Sequence, residues 1–210
     1  MRPLVSFYFE FGSPYSYLAS LEIDKRVAAA GGDVDWKPVE IFRIWESQGI
    51  LDAYMKIRNT KIPYIRRDAQ RCASQLDIRL NPPTSIANDT RLAKLAYWGL
   101  RAAGDERARP FLRQIWHAHF REAQSITDAD ELAIAAASLG LTRDNLEALA
   151  ASEAAVQAQD AANQDAIAAG CFGIPWMECA GESFFGHDRI DQLLARVTRK
   201  AQADEAATAA

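Results

Sequence analysis

The chain has 210 residues, 24 Lys and Arg against 28 Asp and Glu, a net charge of −4, and is 49% hydrophobic. That is enough apolar material for one domain, or one domain carrying a large insertion, without metal or disulfide staples. The negative balance argues against general nucleic-acid binding, and no apolar stretch approaches the roughly 18 residues that span a membrane.

Residues 4–11 read as a buried strand, with Val5, Phe7, Phe9 and Phe11 on one face. The run breaks at Gly12, and the spacing predicts a helix over residues 13–30. Ser13 suits its N-cap and Pro14 its first turn, where a missing N–H costs nothing. Tyr17, Leu18, Leu21 and Ala28 point inward, and Gly31-Gly32 supplies the stop. Val34 and Trp36 alternate with Asp35 and Lys37 in a short second strand ending at Pro38. This is a β-α-β opening with a crossover helix.

From about residue 44 to 169 the periodicity is helical and no strand is expected. Leu92, Leu95, Ala96, Gly99, Leu100 and Ala103 make one stripe, and Phe111, Ile115 and Ala118 begin another. Thr127-Asp128 caps a third helix that stops at Gly140, and Thr142 caps a fourth. The alanine-rich residues 152–169 reach Gly170, a C′ glycine. Asn81-Pro82-Pro83-Thr84 is the clearest internal loop. Residues 176–179 and 183–185 flank Ala180-Gly181-Glu182 as a hairpin. Residues 188–200 close as a helix with Ile190, Leu193, Leu194 and Val197 inward, and residues 201–210 read as a flexible tail.

The expected class is α/β, a thioredoxin-like domain interrupted by an all-helical insertion domain. The expected division is residues 1–43 and 160–200 for the thioredoxin-like part and 44–159 for the insertion. Cys72, Cys171 and Cys179 are odd in number and lack redox or zinc spacing, so no metal is expected. With no signal peptide, the expected setting is a reducing cytoplasm. The Arg66, Arg67 and Arg71 cluster reads as a solvated helix face. His117 and His119, two apart on a helix, do not share a face, and Trp98 and Trp116 read as core.

Ser13 sits where free N–H groups converge, a place that suits a bound anion such as a thiolate. In thioredoxin-like enzymes the first cysteine of Cys-x-x-Cys stands there, and here the motif reads Ser13-Pro14-Tyr15-Ser16. Taken alone, Ser13 reads more readily as a plain helix cap.

Three segments carry a family resemblance. The opening from Phe7 through Gly12-Ser13-Pro14-Tyr15-Ser16-Tyr17-Leu18-Ala19, the segment Gly170-Cys171-Phe172-Gly173-Ile174-Pro175-Trp176-Met177, and Phe184-Phe185-Gly186-His187-Asp188-Arg189-Ile190 resemble 2-hydroxychromene-2-carboxylate isomerases and kappa-class glutathione transferases. Asn59-Thr60-Lys61-Ile62-Pro63-Tyr64, with Asp68 and Arg71, agrees more loosely. The resemblance spans residues 4–198. It implies a dimeric, metal-free, glutathione-dependent enzyme acting on a small aromatic substrate. For the isomerases it implies interconversion of 2-hydroxychromene-2-carboxylate and trans-o-hydroxybenzylidenepyruvate in naphthalene-type catabolism.

The resemblance also implies residue roles. Ser13 would donate its hydroxyl to the glutathione sulfur and is the catalytic candidate. Ile174, before a cis proline rather than an ordinary turn proline, would pair its backbone with the cysteinyl unit. Phe185, Gly186, His187 and Asp188 would receive the γ-glutamyl end, Asp188 meeting its ammonium. Relatives usually carry Trp and Asn where Phe185 and His187 stand. Asn59, Lys61 and Tyr64 are candidates for the glycine end or the substrate carboxylate, and equally a polar helix face. Lowering a thiol by two units from about 8.5 takes about 2.7 kcal/mol. A helix end gives about 0.3–1 kcal/mol, so hydroxyl donation of about 1.5–3 kcal/mol must share the task. A kappa-like transferase and a non-enzymatic thioredoxin-like binding module are the alternatives.

Overall fold

The computed structural model describes residues 2–83 and 89–209. Strand β1 (Leu4–Phe9) leads to helices α1 (Pro14–Ser20) and α2 (Ile23–Ala29), then β2 (Asp33–Pro38). Helices α3 (Ile41–Ser47), α4 (Leu51–Ser74), α5 (Arg91–Ala102), α6 (Ala108–Arg121), α7 (Ala129–Ala136), α8 (Arg143–Ala151) and α9 (Glu153–Ala168) follow. Strands β3 (Trp176–Cys179) and β4 (Glu182–Phe185) and helix α10 (Ile190–Ala209) close the chain. Thr84 of the expected loop lies outside the described residues.

The sheet order is β2-β1-β3-β4. β1 runs parallel to β2, with Phe7 opposite Trp36, and antiparallel to β3, with Phe7 opposite Met177. Alternation sends Phe7, Phe9 and Phe11 to one face, where all three are fully buried. There Trp36 meets the edges of Phe7 and Phe9, and Trp116 of α6 packs on Phe9 and Phe11. Tyr8 is buried on the other face beneath Lys37. A strand covered on both faces explains the nearly unbroken aromatic run. Truncating one of these rings to Ala costs about 3–5 kcal/mol.

The single helix expected over residues 13–30 is two helices. Ser20 donates its hydroxyl to the Tyr17 carbonyl at 2.6 Å, and the N–H groups of Leu21 and Glu22 turn back to Leu18 and Ala19. That local pairing competes with the helical ladder and ends α1 after seven residues.

The helical block keeps its expected punctuation. Asp128 caps α7 through the Glu131 N–H, and Thr142 and Asn145 form a capping box on α8, while Ser152, not expected as a cap, caps α9 through the Ala155 N–H. Helix α5 differs from its stripe. Ala93 through Leu100 are buried all round, whereas Ala103 is exposed, because α6, α8 and α9 all pack on α5. Gly99 permits the closest crossing, since a Cβ there would come 2.5 Å from the Leu149 carbonyl oxygen of α8.

The hairpin turn is two residues, Ala180-Gly181, both with positive φ, and Glu182 already pairs with Cys179. Such a turn matches the strand twist. The last helix, expected to stop at Lys200, runs on to Ala209. Alanine is the best helix former, and the Lys200–Asp204 ion pair supports the added turns. Among the described residues no helix is long and apolar enough to cross a membrane.

Candidate active site

The C-terminal end of β1 turns sharply into α1. The Ser13 N–H donates to the Glu10 carbonyl at 3.1 Å, closing a four-residue turn. Ser13 is the N-cap of α1, and its hydroxyl oxygen accepts the Ser16 N–H at 3.2 Å. Its own proton stays available to donate outward. The Ser16 hydroxyl one turn on is fully buried and has no hydrogen-bond partner among the described residues.

Two further segments reach the same end of the sheet. Tyr8 pairs with Trp176 and Trp176 with Phe185, so residues 174–175 and 186 continue the register toward the β1–α1 turn. The Ile174–Pro175 peptide bond is cis. The Gly186 N–H donates to the Pro175 carbonyl at 3.0 Å, and among the described residues the Ile174 N–H makes no hydrogen bond. The Phe185 ring lies over Gly173, where a Cβ would come 2.6 Å from it. Phe172 and Phe185, both half-exposed, pack edge to face at 4.9 Å, with Trp176 behind them.

His187 and Asp188 lie in a 3-10 turn before α10. The His187 ring stacks on Tyr15 at 5.2 Å. Burial pushes the His187 imidazole below its ordinary range, against the opposing pull of Asp188, Asp68 and Glu22. Asp188 makes no capping bond; its side chain is 59% exposed and pairs with Arg189 at 3.5 Å.

Of the three α4 candidates, Tyr64 lies nearest this cluster. Its hydroxyl is 3.5 Å from Asp68, and Arg71 lies over its ring. Asp68 in turn accepts the Tyr15 hydroxyl at 2.7 Å. Hydrogen bonds from Arg71, then Tyr15, hold the Asp68 carboxyl below the usual carboxylate range. Asn59 and Lys61 are exposed and lie about 7.5 and 4.5 Å back from Tyr64 along the α4 axis. Lys61 sits over the Tyr54 ring, and among the described residues no hydrogen bond or ion pair joins either residue to Ser13, Ile174 or the 185–188 turn.

Several site residues carry no role in the sequence reading. Tyr15 bridges α1 to α4 and to the His187 turn. From α3, the Trp45 indole donates to the Phe172 carbonyl at 2.8 Å and Gln48 to the Cys171 carbonyl at 2.9 Å, holding the cis-proline loop. Glu10 pairs with Lys94 of α5. For that pair a signal exists: one carboxylate in an aromatic strand and one lysine in an apolar helix, each needing a partner once buried. Among the described residues no group of three or more His, Cys, Asp or Glu is placed to hold a metal.

All three cysteines are free thiols. Burial raises Cys72, Cys171 and Cys179, Cys171 to about 11. With serine at both 13 and 16, the helix start carries no dithiol.

A β-α-β and β-β-α sheet whose first helix starts opposite a cis-proline loop defines a thioredoxin-like protein, here with a serine in place of the usual first cysteine. The chain belongs to the DSBA-like thioredoxin domain family, which matches residues 4–198. It is 28% identical over 194 residues to a 2-hydroxychromene-2-carboxylate isomerase of Sphingobium xenophagum, covering 92% of this chain and 97% of that one. It is 27% identical to the Pseudomonas putida protein of the same name, covering 90% and 92%. A solved 2-hydroxychromene-2-carboxylate isomerase superposes with a TM-score of 0.81 at 24% identity, over 96% of this chain and 98% of that one. A probable DsbA oxidoreductase of Streptomyces coelicolor shares the fold with a TM-score of 0.71 at 16% identity, over 96% and 91%.

Proposed function

We propose that this protein is a glutathione-dependent cis/trans isomerase that interconverts 2-hydroxychromene-2-carboxylate and trans-o-hydroxybenzylidenepyruvate. The observation that carries it is Ser13. Its hydroxyl proton is free at a helix cap facing a cis-proline loop, in a chain similar end to end to isomerases of that name.

The residues present fit a tripeptide thiol. The Ile174 N–H has no partner among the described residues and suits an extended peptide backbone. Ser16, three residues after Ser13, adds a buried hydroxyl that has no partner among the described residues. The Gly186–Asp188 turn offers backbone and an exposed carboxylate to the γ-glutamyl end. When bound, glutathione supplies a thiolate that adds reversibly to a conjugated double bond, allowing rotation while that bond is single. Ser13 holds the sulfur as thiolate by donating its hydroxyl proton into a hydrogen bond. Because α1 has only seven residues, the hydroxyl carries more of that task than a long helix would leave it. Tyr64, and further along α4 Lys61 and Asn59, are the proposed contacts for the glycine end or the substrate carboxylate. The proposed setting is the cytoplasm and the proposed assembly a homodimer.

The second reading is a kappa-like transferase, favoured by the same thiol site. One experiment separates them: incubate the pure protein with trans-o-hydroxybenzylidenepyruvate, with and without glutathione. Isomerisation that needs glutathione and leaves its concentration unchanged is expected. Accumulation of a glutathione conjugate would favour the transferase, and no conversion under either condition would overturn the isomerase.

A further inference from the structure

Glu10 is the carboxylate nearest in sequence to Ser13, and it is almost entirely withdrawn from water. Its side chain is 14% exposed, and that of its partner Lys94, at 2.8 Å, is 6% exposed. The same carboxylate accepts the Phe11 N–H at 3.2 Å and the Thr90 hydroxyl. Thr90 is the N-cap of α5, yet its side chain makes no bond to its own helix and is given to Glu10 instead. The carboxylate therefore sits at the positive end of a twelve-residue helix, among three donors. Meanwhile the Glu10 carbonyl accepts the Ser13 N–H. One residue thus supplies the carbonyl that closes the Ser13 turn and the carboxylate of a charge pair three positions before Ser13.

We propose that Glu10 and Lys94 form a charge-balanced pair that sets the electrostatic field where the sulfur binds at Ser13. This rests on the reading that a thiolate is held at Ser13. The pair is neutral as a unit, so the intact protein neither repels nor attracts the thiolate through it. Removing one member leaves a buried, uncompensated charge. In general, a unit charge on the order of 10 Å away in a medium of effective dielectric constant about 20 moves a thiol pKa by about one unit. The other charged groups around the site, Asp68, Arg71, His187, Asp188 and Arg189, stay in every variant.

The test follows the ultraviolet absorbance of the bound glutathione thiolate against pH, with glutathione affinity measured by calorimetry. Lys94→Met leaves Glu10 unbalanced and should raise the bound thiol's pKa by about one unit. Glu10→Gln leaves Lys94 unbalanced and should lower it by about as much. The double variant should return close to the wild-type value. A loosened turn would move both single variants the same way, so opposite signs distinguish charge from disorder. Shifts of equal sign, or no shift, overturn the proposal while leaving the glutathione site intact. If Lys94→Met does not fold, Glu10→Gln alone decides: a lowered pKa supports the proposal and an unchanged or raised one overturns it. No glutathione binding by the wild-type protein overturns both this and the functional reading.

Discussion

The imidazole of His187 lies flat on the ring of Tyr15, with centroids 5.2 Å apart and planes 10° apart. The same tyrosine donates its hydroxyl to Asp68 at 2.7 Å. One side chain thus ties together α1, α4 and the turn before α10, the three elements that carry Ser13, Tyr64 and Asp188. Burial, reinforced by the hydrogen bond to Asp68, raises the Tyr15 phenol far above its ordinary range. Tyr15 therefore stays protonated and serves as a strut rather than as a base.

Two histidines make stability pH-dependent. Burial lowers both His187 and His119, and the latter donates its Nδ1–H to the Gln124 carbonyl at 3.0 Å. The folded chain holds them neutral, whereas the unfolded chain takes up protons near pH 6.5. Stability is therefore complete above that value and falls as pH drops below it. Urea unfolding at about pH 7.5 and about pH 5.5 should show this loss. His119→Gln, which keeps a hydrogen-bond donor, should lose less over the same interval. An equal loss in both proteins would place the dependence elsewhere.

The cysteines are expected to be dispensable for turnover. Each is held as a neutral thiol by burial, and none lies at the Ser13 turn. Cys72→Ser with Cys171→Ala and Cys179→Ala should keep turnover within a few-fold. Stability should fall by about 0.5–3 kcal/mol for each buried position. Inactivity in a folded triple variant would show that the working sulfur belongs to the chain.

Helix α4 leaves Met55, Ile57 and Tyr64 more than half exposed. This apolar surface fits the homodimer proposed above. Sedimentation at micromolar concentration should give about twice the chain mass of 23.2 kDa. A species at the chain mass would refute it.

What the sequence discloses follows from how local each determinant is. The β1–α1–β2 opening was legible because strand alternation and the Ser13-Pro14 cap are written in adjacent residues. The caps Asp128 and Thr142 were legible for the same reason. The break after Ser20 was hidden because Leu21 continues the apolar spacing while the Ser20 hydroxyl interrupts the backbone ladder. Helix α5 displayed one stripe although it is buried all round, since periodicity counts Lys94 as solvent-facing and cannot see Glu10 beside it. The alanine-rich end of α10 looked like low complexity, yet the same alanines favour helix. At the candidate site, the Ser13 cap and the Ile174–Pro175 cis bond lie within motifs that adjacent residues spell out. The Tyr15–Asp68 bond joins residues 53 apart and has no local signature.

Ser13 and Asp188 should separate sulfur activation from glutathione binding. Ser13→Ala removes the proposed donor to the sulfur but leaves Pro14 and the cis-proline backbone. It should raise the bound thiol's pKa and lower turnover by about one to three orders of magnitude, the scale of one preorganised donor. Glutathione affinity should change little, and the lost cap should cost about 1 kcal/mol of stability. Asp188→Ala acts at the proposed site of the γ-glutamyl end. A sheltered ion pair there would contribute about 2–3 kcal/mol, but Asp188 is mostly exposed and already pairs with Arg189. Its loss should therefore weaken glutathione binding by only about 0.2–1 kcal/mol, at most about fivefold. Turnover at saturating glutathione should stay near that of the wild type, and stability should hold because Asp188 caps no helix. Glutathione titrations of both variants, with thiolate absorbance followed against pH, check the pair. An unchanged thiol pKa and rate in Ser13→Ala would reduce Ser13 to a helix cap.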